Sequence, residues 1–452
     1  RPPLDQVAAL FARPPGVDQR LCPKSTGLFP AFAQYLTDGF IRTMLHNDDD
    51  KEDRRRTTSN HEIDMSPLYG RTPLQTLLLR AGQGGRLHSQ IINGEEFSPF
   101  LFGDDGRVKP EFAGLDLPLG LKNATPQGRA TLFAVGGDRV NAVPQTAMMN
   151  TLFLREHNRL AGMLASKHPD WDDERLFETA RNIVIVMFIK IVVEEYINHI
   201  NTTEFPLQAD PKAAWRASWN RPNWMTVEFS LLYRWHGLVM ESVTWGDNAH
   251  PGNSTLLNNS LLIGSGLAQS FINTSANRTA MLGLENAASF MMFAEVGAIK
   301  QARVNNLASY NDYRIVMGME PARNFATIVG ASDKPAEQAR LAALAKRLEG
   351  LYGDVNNVEY YVGLFAERVE KNGPLPELVS SMVAMDAFSQ ALTNPLLSEH
   401  VWGNPKNKLL SFTQDGIKVI EQTKRLRDIV DRNAKGLGKG FVGMTRKAWK
   451  RV

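Results

Sequence analysis

The pentapeptide Leu232-Tyr233-Arg234-Trp235-His236 sets a phenol three residues before an imidazole, inside the segment VEFSLLYRWHGLVMES. If that segment is helical, positions i and i+3 lie on one face, and Tyr233 and His236 look the same way. A histidine facing a cavity can bind the iron of a haem as its axial ligand. A phenol beside it can then be oxidised by that iron and carry a radical. Spacing alone does not demand this chemistry, because Tyr and His three apart on a helix are ordinarily packing residues with satisfied polar tips.

The elements that must position such a pair are mostly helical. Met149, Leu152, Phe153, Leu160, Ala161 and Leu164 recur at helical spacing around LREHNR and predict one amphipathic helix. Residues 173–200 predict another, whose all-round apolar middle implies burial in a large core. Further helices are expected over 30–46, 225–241, 283–305, 335–350, 358–370, 376–392 and 413–433. Strand signals are few and short, such as QII before the hairpin-type turn Asn93-Gly94. Loops are expected at 46–58, 94–130 and 243–260, and the charge run in 46–58 reads as a solvated loop. No solenoid repeat and no linker divides the chain. The fold class expected is mainly α, one large helical domain with few short strands.

Bulk composition narrows the function classes. With 452 residues, 43% hydrophobic and 22% charged, the chain can bury a sizeable core. A net charge of +3 is too small to argue for nucleic acid. From Lys424 to Arg451 there are ten Lys or Arg against two Asp, with Phe441 and Trp449 among them. That basic end is either a solvated terminal segment or one able to rest on an anionic membrane. The single cysteine, Cys22, excludes an intrachain disulfide and favours a reducing compartment or a bacterial origin, so a cytoplasmic or peripheral-membrane location is expected. The most apolar run, Ile183 to Ile189, falls far short of the roughly 20 residues of a spanning helix. The chain opens on Arg-Pro-Pro without Met, which leaves room for a preceding segment or targeting signal.

Set beside LREHNR, LYRWH makes the chain resemble the cyclooxygenase-like haem peroxidases, a superfamily that includes prostaglandin H synthase and fatty-acid dioxygenases. Collinear segments echo that family: FAQYLTDGF (32–40), IDMSPLYGRT (63–72), TLFLREHNRLAGML (151–164), KIVVEEYINHI (190–200), LLYRWH, SYNDYR (309–314) and LYGDVNNVEYY (351–361). The resemblance implies a helical haem-peroxidase-like domain over 25–433, between an N-terminal extension 1–24 and a basic tail 434–452. It implies haem b between a distal helix near 30–46 and a proximal helix near 225–241. His236 matches the axial ligand of the haem iron, and Tyr233 the tyrosine whose radical abstracts hydrogen from a fatty acid. Tyr196 matches a second tyrosine bonded to the first, and Trp235 the tryptophan between the two functional positions. Tyr361 matches a tyrosine linked through solvent to the proximal histidine, Gln34 a distal glutamine, and Ile197 a residue shaping the substrate channel.

Departures from the family pattern matter as much. The distal histidine position holds Asp38. A carboxylate, titrating at about 4 in water, is a poor copy of an imidazole poised near neutral pH, so weak peroxidase turnover is expected. His46 lies eight residues on, too far along a helix to substitute. Counted from Tyr361 without gaps, the channel serine of cyclooxygenases becomes Ala387, with Ser389 two positions away, which argues against prostaglandin-type cyclisation. No growth-factor-like module or membrane-binding helical unit is recognisable before residue 25, and truncation of the chain would account for the second. Calcium is not expected: Gly39 replaces the family's helix aspartate, although Asn60, Glu62, Asp64 and Ser66 alternate as oxygen ligands would. His157 reads as a buried, hydrogen-bonded histidine, while His61 and His199 have no partner that the sequence can name. Phe290, Met291, Met292 and Phe293 read as core. Arg155 and Arg159 could serve haem propionates or surface ion pairs.

The function expected is dioxygenation: O2 added to an unsaturated fatty acid after hydrogen abstraction by Tyr233, giving a hydroperoxide. Two alternatives stand beside it. One is a haem peroxidase or hydroperoxide lyase or isomerase without a tyrosyl radical; the other is a non-enzymatic haem- or lipid-binding domain.

Overall fold

The computed structural model describes residues 1–41, 43–45, 52–57, 62–221 and 225–451. Helix accounts for 53% of the chain against 9% strand, so the mainly α class expected from periodicity is what forms. The central element is the helix Pro144–Lys167. Proline opens it in the first turn, where a missing N–H loses no helical bond. It is buried more completely than an amphipathic pattern foretells, and Arg155, Glu156, His157 and Asn158 of LREHNR are all buried. Buried polar groups must find partners, and each of these fastens a neighbouring segment. His157 sits between the Tyr69 hydroxyl at 2.9 Å and the Gly85 carbonyl at 2.8 Å, as a buried, bonded histidine should. Glu156 gathers Arg159, Arg432 and Asn433. Arg155 pairs with Glu95 at 2.8 Å. Both arginines are thus committed to internal ion pairs.

Against this axis pack the helices Asp173–Ile191, Leu28–Asp38 and Ser260–Ala276. The first is capped by Asp172, whose side chain accepts from the Arg175 N–H, with Asp173 and Glu174 in the turn that favours negative charge. It loosens into a π-helix, Val192–Ile197, before Asn198–Ile200 closes the expected 173–200 span. Leu28–Asp38 is fastened by the Tyr35 hydroxyl donating to Asn150 Oδ1 at 3.1 Å. It ends eight residues short of the expected boundary at 46. Gly39, a poor helix former, follows it, and Thr43–Leu45 pairs antiparallel with Glu52–Thr57. Part of the expected 46–58 loop is therefore strand; His46 lies outside the described residues.

Other expectations shift too. Within 283–305 only Met292–Val304 is α-helical after a short 3-10 turn, and Phe293 is 69% exposed, so the Phe290–Phe293 stripe is not core. The 413–433 helix is two elements, Pro405–Gln422, broken at Thr413 with φ 60°, and Leu426–Asn433. Part of the 243–260 loop is a hairpin, Ser242–Trp245 with Asn248–Pro251. The Ser260–Ala276 helix, rich in Gly, Ser and Thr, has little intrinsic propensity and stands by tertiary packing. The Asn93-Gly94 turn joins Gln90–Ile92 to Glu95–Phe97 as expected, with φ 52° and 78°.

Both ends are sewn to the body. Phe11 is buried and stacks on Tyr361. Near the other end, Thr26 N–H donates to Met444 O at 2.9 Å, Arg446 N–H to Lys24 O at 2.8 Å, and Lys24 lies over the Trp449 ring. Among the described residues no helix is long and apolar enough to cross a membrane.

Candidate active site

The LYRWH segment breaks a helix instead of continuing one. Val227–Leu232 is capped by Thr226, which accepts from the Phe229 N–H at 3.1 Å, and it stops at Leu232. Tyr233 closes it with φ −87° and ψ 8°, Trp235 follows at φ −84° and ψ 43°, and His236–Leu238 forms a 3-10 turn. The expected 225–241 helix, with Tyr233 and His236 on one face, is therefore replaced. Residues i and i+2 of an α-helix point apart, yet the Tyr233 and Trp235 rings stack at 4.6 Å and 22°. Packing selects this geometry. Trp235 also stacks on Phe29 at 5.6 Å, and Phe29 on Tyr196 at 5.7 Å. Aromatic pairs contribute about 0.5–1.5 kcal/mol each beyond their buried area, against about 1 kcal/mol net for a helical hydrogen bond.

The π-turn after Ile191 places Tyr196 in this cluster, and such turns recur where a helix must re-aim a functional side chain. Its hydroxyl donates to the Tyr233 hydroxyl at 3.4 Å. Tyr196 is fully buried, whereas Tyr233 keeps some surface although protein crowds its hydroxyl. Burial raises the Tyr233 phenol above its usual 10, with the Tyr196 bond pulling the other way. Tyr196 stands well above 10 for the same first reason. Tyr233 is accordingly a neutral phenol near pH 7, and an electron can leave it only with its proton. Ile197 is buried next to Tyr196 in the same turn.

On the other side of the break, His236 Nδ1 faces Glu295 Oε1 at 3.5 Å. Glu295 Oε2 accepts the Tyr361 hydroxyl at 2.7 Å. The resemblance linked Tyr361 to the histidine through solvent; here a carboxylate stands between them. Sequence reasoning missed Glu295. Its signal in the sequence was a lone acid in the apolar run FMMFAEVGAI, and in the fold it is 2% exposed. An imidazole with one nitrogen turned to a carboxylate has the other free for a metal, which is the donor arrangement an axial haem ligand needs.

Gln34 and Asp38 lie one turn apart on Leu28–Asp38, Gln34 half-buried and Asp38 1% exposed. The Asp38 carboxylate accepts from the Arg139 N–H at 3.3 Å and presses on Gly137, where a Cβ would overlap it. Ser389 is buried, and its hydroxyl donates to the Asp386 carbonyl one turn back at 2.8 Å. Ala387 lies in the same helix, Glu377–Leu392, with its side chain outside the described set. Among the alternating oxygen residues, Asp64 accepts from the Ser66 N–H and Ser66 donates to Gly39 O; Asn60 lies outside the described residues, as does His61. His199, given no partner above, has two: Ser25 at 2.8 Å and Thr445 at 2.7 Å.

A sequence profile of the animal haem peroxidase family matches residues 30–442. The chain belongs to that family. It is 32% identical over 420 residues to prostaglandin G/H synthase 2 of Equus caballus, covering 92% of this chain and 64% of that one. Against prostaglandin G/H synthase 1 of Mus musculus the identity is 31% over 379 residues, covering 83% and 58%. The chain thus spans just under two thirds of these relatives' length. Among solved structures, peroxidase A of Dictyostelium discoideum aligns with a TM-score of 0.72 at 16% identity, covering 99% of this chain and 91% of that one. The fatty acid alpha-dioxygenase of Arabidopsis thaliana aligns at 0.74 and 16%, covering 96% and 75%. That of Oryza sativa, in a form with palmitic acid, aligns at 0.72 and 17%, covering 96% and 78%. At such identities the likeness is one of fold, and with the sequence relatives it sets the chain within the cyclooxygenase-like peroxidase superfamily. Members of that superfamily are haem-binding oxidoreductases.

Proposed function

We propose that the chain is a haem-dependent fatty-acid dioxygenase in which Tyr233 carries the hydrogen-abstracting radical. One observation carries the reading most directly: the Tyr233 hydroxyl, within hydrogen-bond reach of Tyr196 and walled by Trp235, lies three residues from an imidazole that faces a carboxylate. Haem b, held by His236, would supply the oxidising equivalent when a hydroperoxide reacts with it. Every other step belongs to the chain and its substrates. Tyr233 would give up an electron to that oxidising equivalent and its hydroxyl proton to solvent, and the Tyr196 O–H bond would steady the phenoxyl oxygen left behind. That oxygen takes a hydrogen atom from a fatty-acid carbon, O2 adds there, and the peroxyl recovers a hydrogen from the re-formed Tyr233 O–H. The product is a hydroperoxide and the radical is regenerated, so atoms and electrons balance.

Asp38 is assigned to holding the 136–139 loop, since its carboxylate is engaged there. That weakens the case for efficient peroxide cleavage on the Gln34 side and for the peroxidase reading. Ser389 spends its hydroxyl on its own helix, which favours linear hydroperoxides over cyclised products. Ile197 and the residues around Ala387 are read as channel wall. The exposed Lys447 and Lys450 of the basic end are read as a contact for an anionic membrane. The decisive experiment is oxygen uptake by the haem-loaded protein with oleate, linoleate, arachidonate and palmitate, product positions being read by mass spectrometry. Uptake with linoleate or oleate that disappears in Tyr233→Phe is the expected result. Uptake that survives in Tyr233→Phe defeats the radical reading, and guaiacol oxidation without uptake selects the peroxidase.

A further inference from the structure

A carboxyl group in a protein interior is expensive unless its oxygens are satisfied. Glu295 has one oxygen satisfied by Tyr361 and the other directed at the ring nitrogen of His236. Among the described residues, His236 is the only basic side chain within 4.0 Å of that carboxylate. His236 Nδ1 is itself buried and makes no hydrogen bond at the observed geometry. A buried ring nitrogen without a hydrogen bond thus lies 3.5 Å from a buried carboxylate oxygen, and in the tautomer with the proton on Nδ1 the two are donor and acceptor. We infer that Glu295 is a positioning residue for His236: it takes the Nδ1–H, orients the ring so that Nε2 would be left for a haem iron, and, with Tyr361 as a donor on its far oxygen, would set how strongly the imidazole donates to that metal.

This rests on the proposed role of His236. The physics is that of any metal-bound histidine, whose outer nitrogen is held by an acceptor that fixes the tautomer and raises ligand basicity. A more basic ligand favours ferric over ferrous iron and lowers the reduction potential. In the test below the electron would come from an electrode; within the chain no bond would be made or broken, and the Nδ1–H would stay with the His236–Glu295 pair. Tyr361 acts in the opposite sense, because a hydroxyl donating to Glu295 withdraws electron density from the carboxylate. Glu295→Gln and Tyr361→Phe should therefore move the potential in opposite directions, whereas a merely structural role would move neither or both alike.

The test uses the full chain loaded with haem b, read by absorbance titration of haem and by spectroelectrochemistry. Glu295→Gln is expected to weaken haem binding about 10- to 100-fold. If ferric binding falls tenfold more than ferrous, the midpoint rises by about 59 mV. Tyr361→Phe, which leaves the carboxylate in place and loses only one hydroxyl, is expected to lower it. Haem affinity and midpoint both within twofold-equivalent of wild type in Glu295→Gln, with Tyr361→Phe also unmoved, would overturn the inference. His236→Ala separates the two claims. Haem binding unchanged in that variant overturns the axial assignment and the Glu295 role together. Haem binding lost there but unchanged in Glu295→Gln overturns the Glu295 role alone.

Discussion

Replacing Tyr196 by Phe removes one oxygen and leaves a ring that keeps its contacts with Phe29 at 5.7 Å and Phe32 at 5.5 Å. The loss is therefore the hydrogen bond to Tyr233 and little else. At 3.4 Å between oxygens, that bond is long beside the usual 2.7–2.8 Å for hydroxyl pairs, which sets its worth at the lower part of the 0.5–1.5 kcal/mol range. Folding stability should fall by about 0.5–1 kcal/mol.

The catalytic effect is of similar size and has a definite sign. The Tyr196 hydroxyl steadies the Tyr233 oxygen once its proton has gone, so its removal raises the barrier to oxidising Tyr233. About 1 kcal/mol corresponds to roughly fivefold in rate, since each 1.36 kcal/mol is tenfold. Oxygen uptake with linoleate in Tyr196→Phe is expected at about one-fifth of wild type, with an altered tyrosyl radical line shape after peroxide. Tyr233→Phe has no hydrogen-abstracting group and should show none. If Tyr196→Phe abolished uptake with an unchanged melting curve, while Tyr233→Phe retained it, the roles would be reversed. Equal, full activity in both would remove the pair from catalysis.

Asp38→Asn should leave peroxide reactivity of the haem-loaded protein within about twofold, because an amide oxygen can still accept from Arg139; a hundredfold loss would return Asp38 to the part of a distal base. Gly137→Ala, whose Cβ would overlap the Asp38 carboxylate, should destabilise by about 1–3 kcal/mol as overpacking does, measured by denaturant titration; full wild-type stability would show that Asp38 does not hold the loop. Burial pushes the His157 imidazole down to about 3, over the opposing hydrogen bond to Gly85. Its folded value lies below the unfolded one of about 6.5, so its contribution to stability is complete above that pH and is lost as pH falls toward 3. Relative to wild type, the stability curve of His157→Gln should flatten by about 1.4 kcal/mol per pH unit between pH 6 and 4. Burial lifts Glu195 to about 7, the opposite sign: its contribution is complete below about 4.5 and lost as pH rises to 7, so Glu195→Gln should remove a fall of about 1.4 kcal/mol per pH unit between those pH values.

Much of this site was legible as residue types and little of it as geometry. Tyr233, His236, Tyr196 and Tyr361 stand in motifs that a single sequence displays, and the helical class follows from periodicity that packing honours. The helix limits around the site were misjudged for a common reason. The Tyr233–Trp235 stack depends on Phe29, some two hundred residues away, and Gly39 closes a helix whose apolar pattern runs on past it. Glu295 carries no local signal of its partner, because its meaning lies in what Tyr361 and His236 bring to it.

These misjudged places are also where the proposed site lies. A regular α-helix presents neighbours only at three- and four-residue spacing, and it cannot stack residues two apart. Tyr233 at a helix end, Tyr196 in a π-turn, His236 opening a 3-10 turn and Asp38 at the last position of its helix each use a departure from regularity to meet a partner. Periodicity therefore reads the scaffold well and loses sight of the site at the points where the scaffold is interrupted to build it.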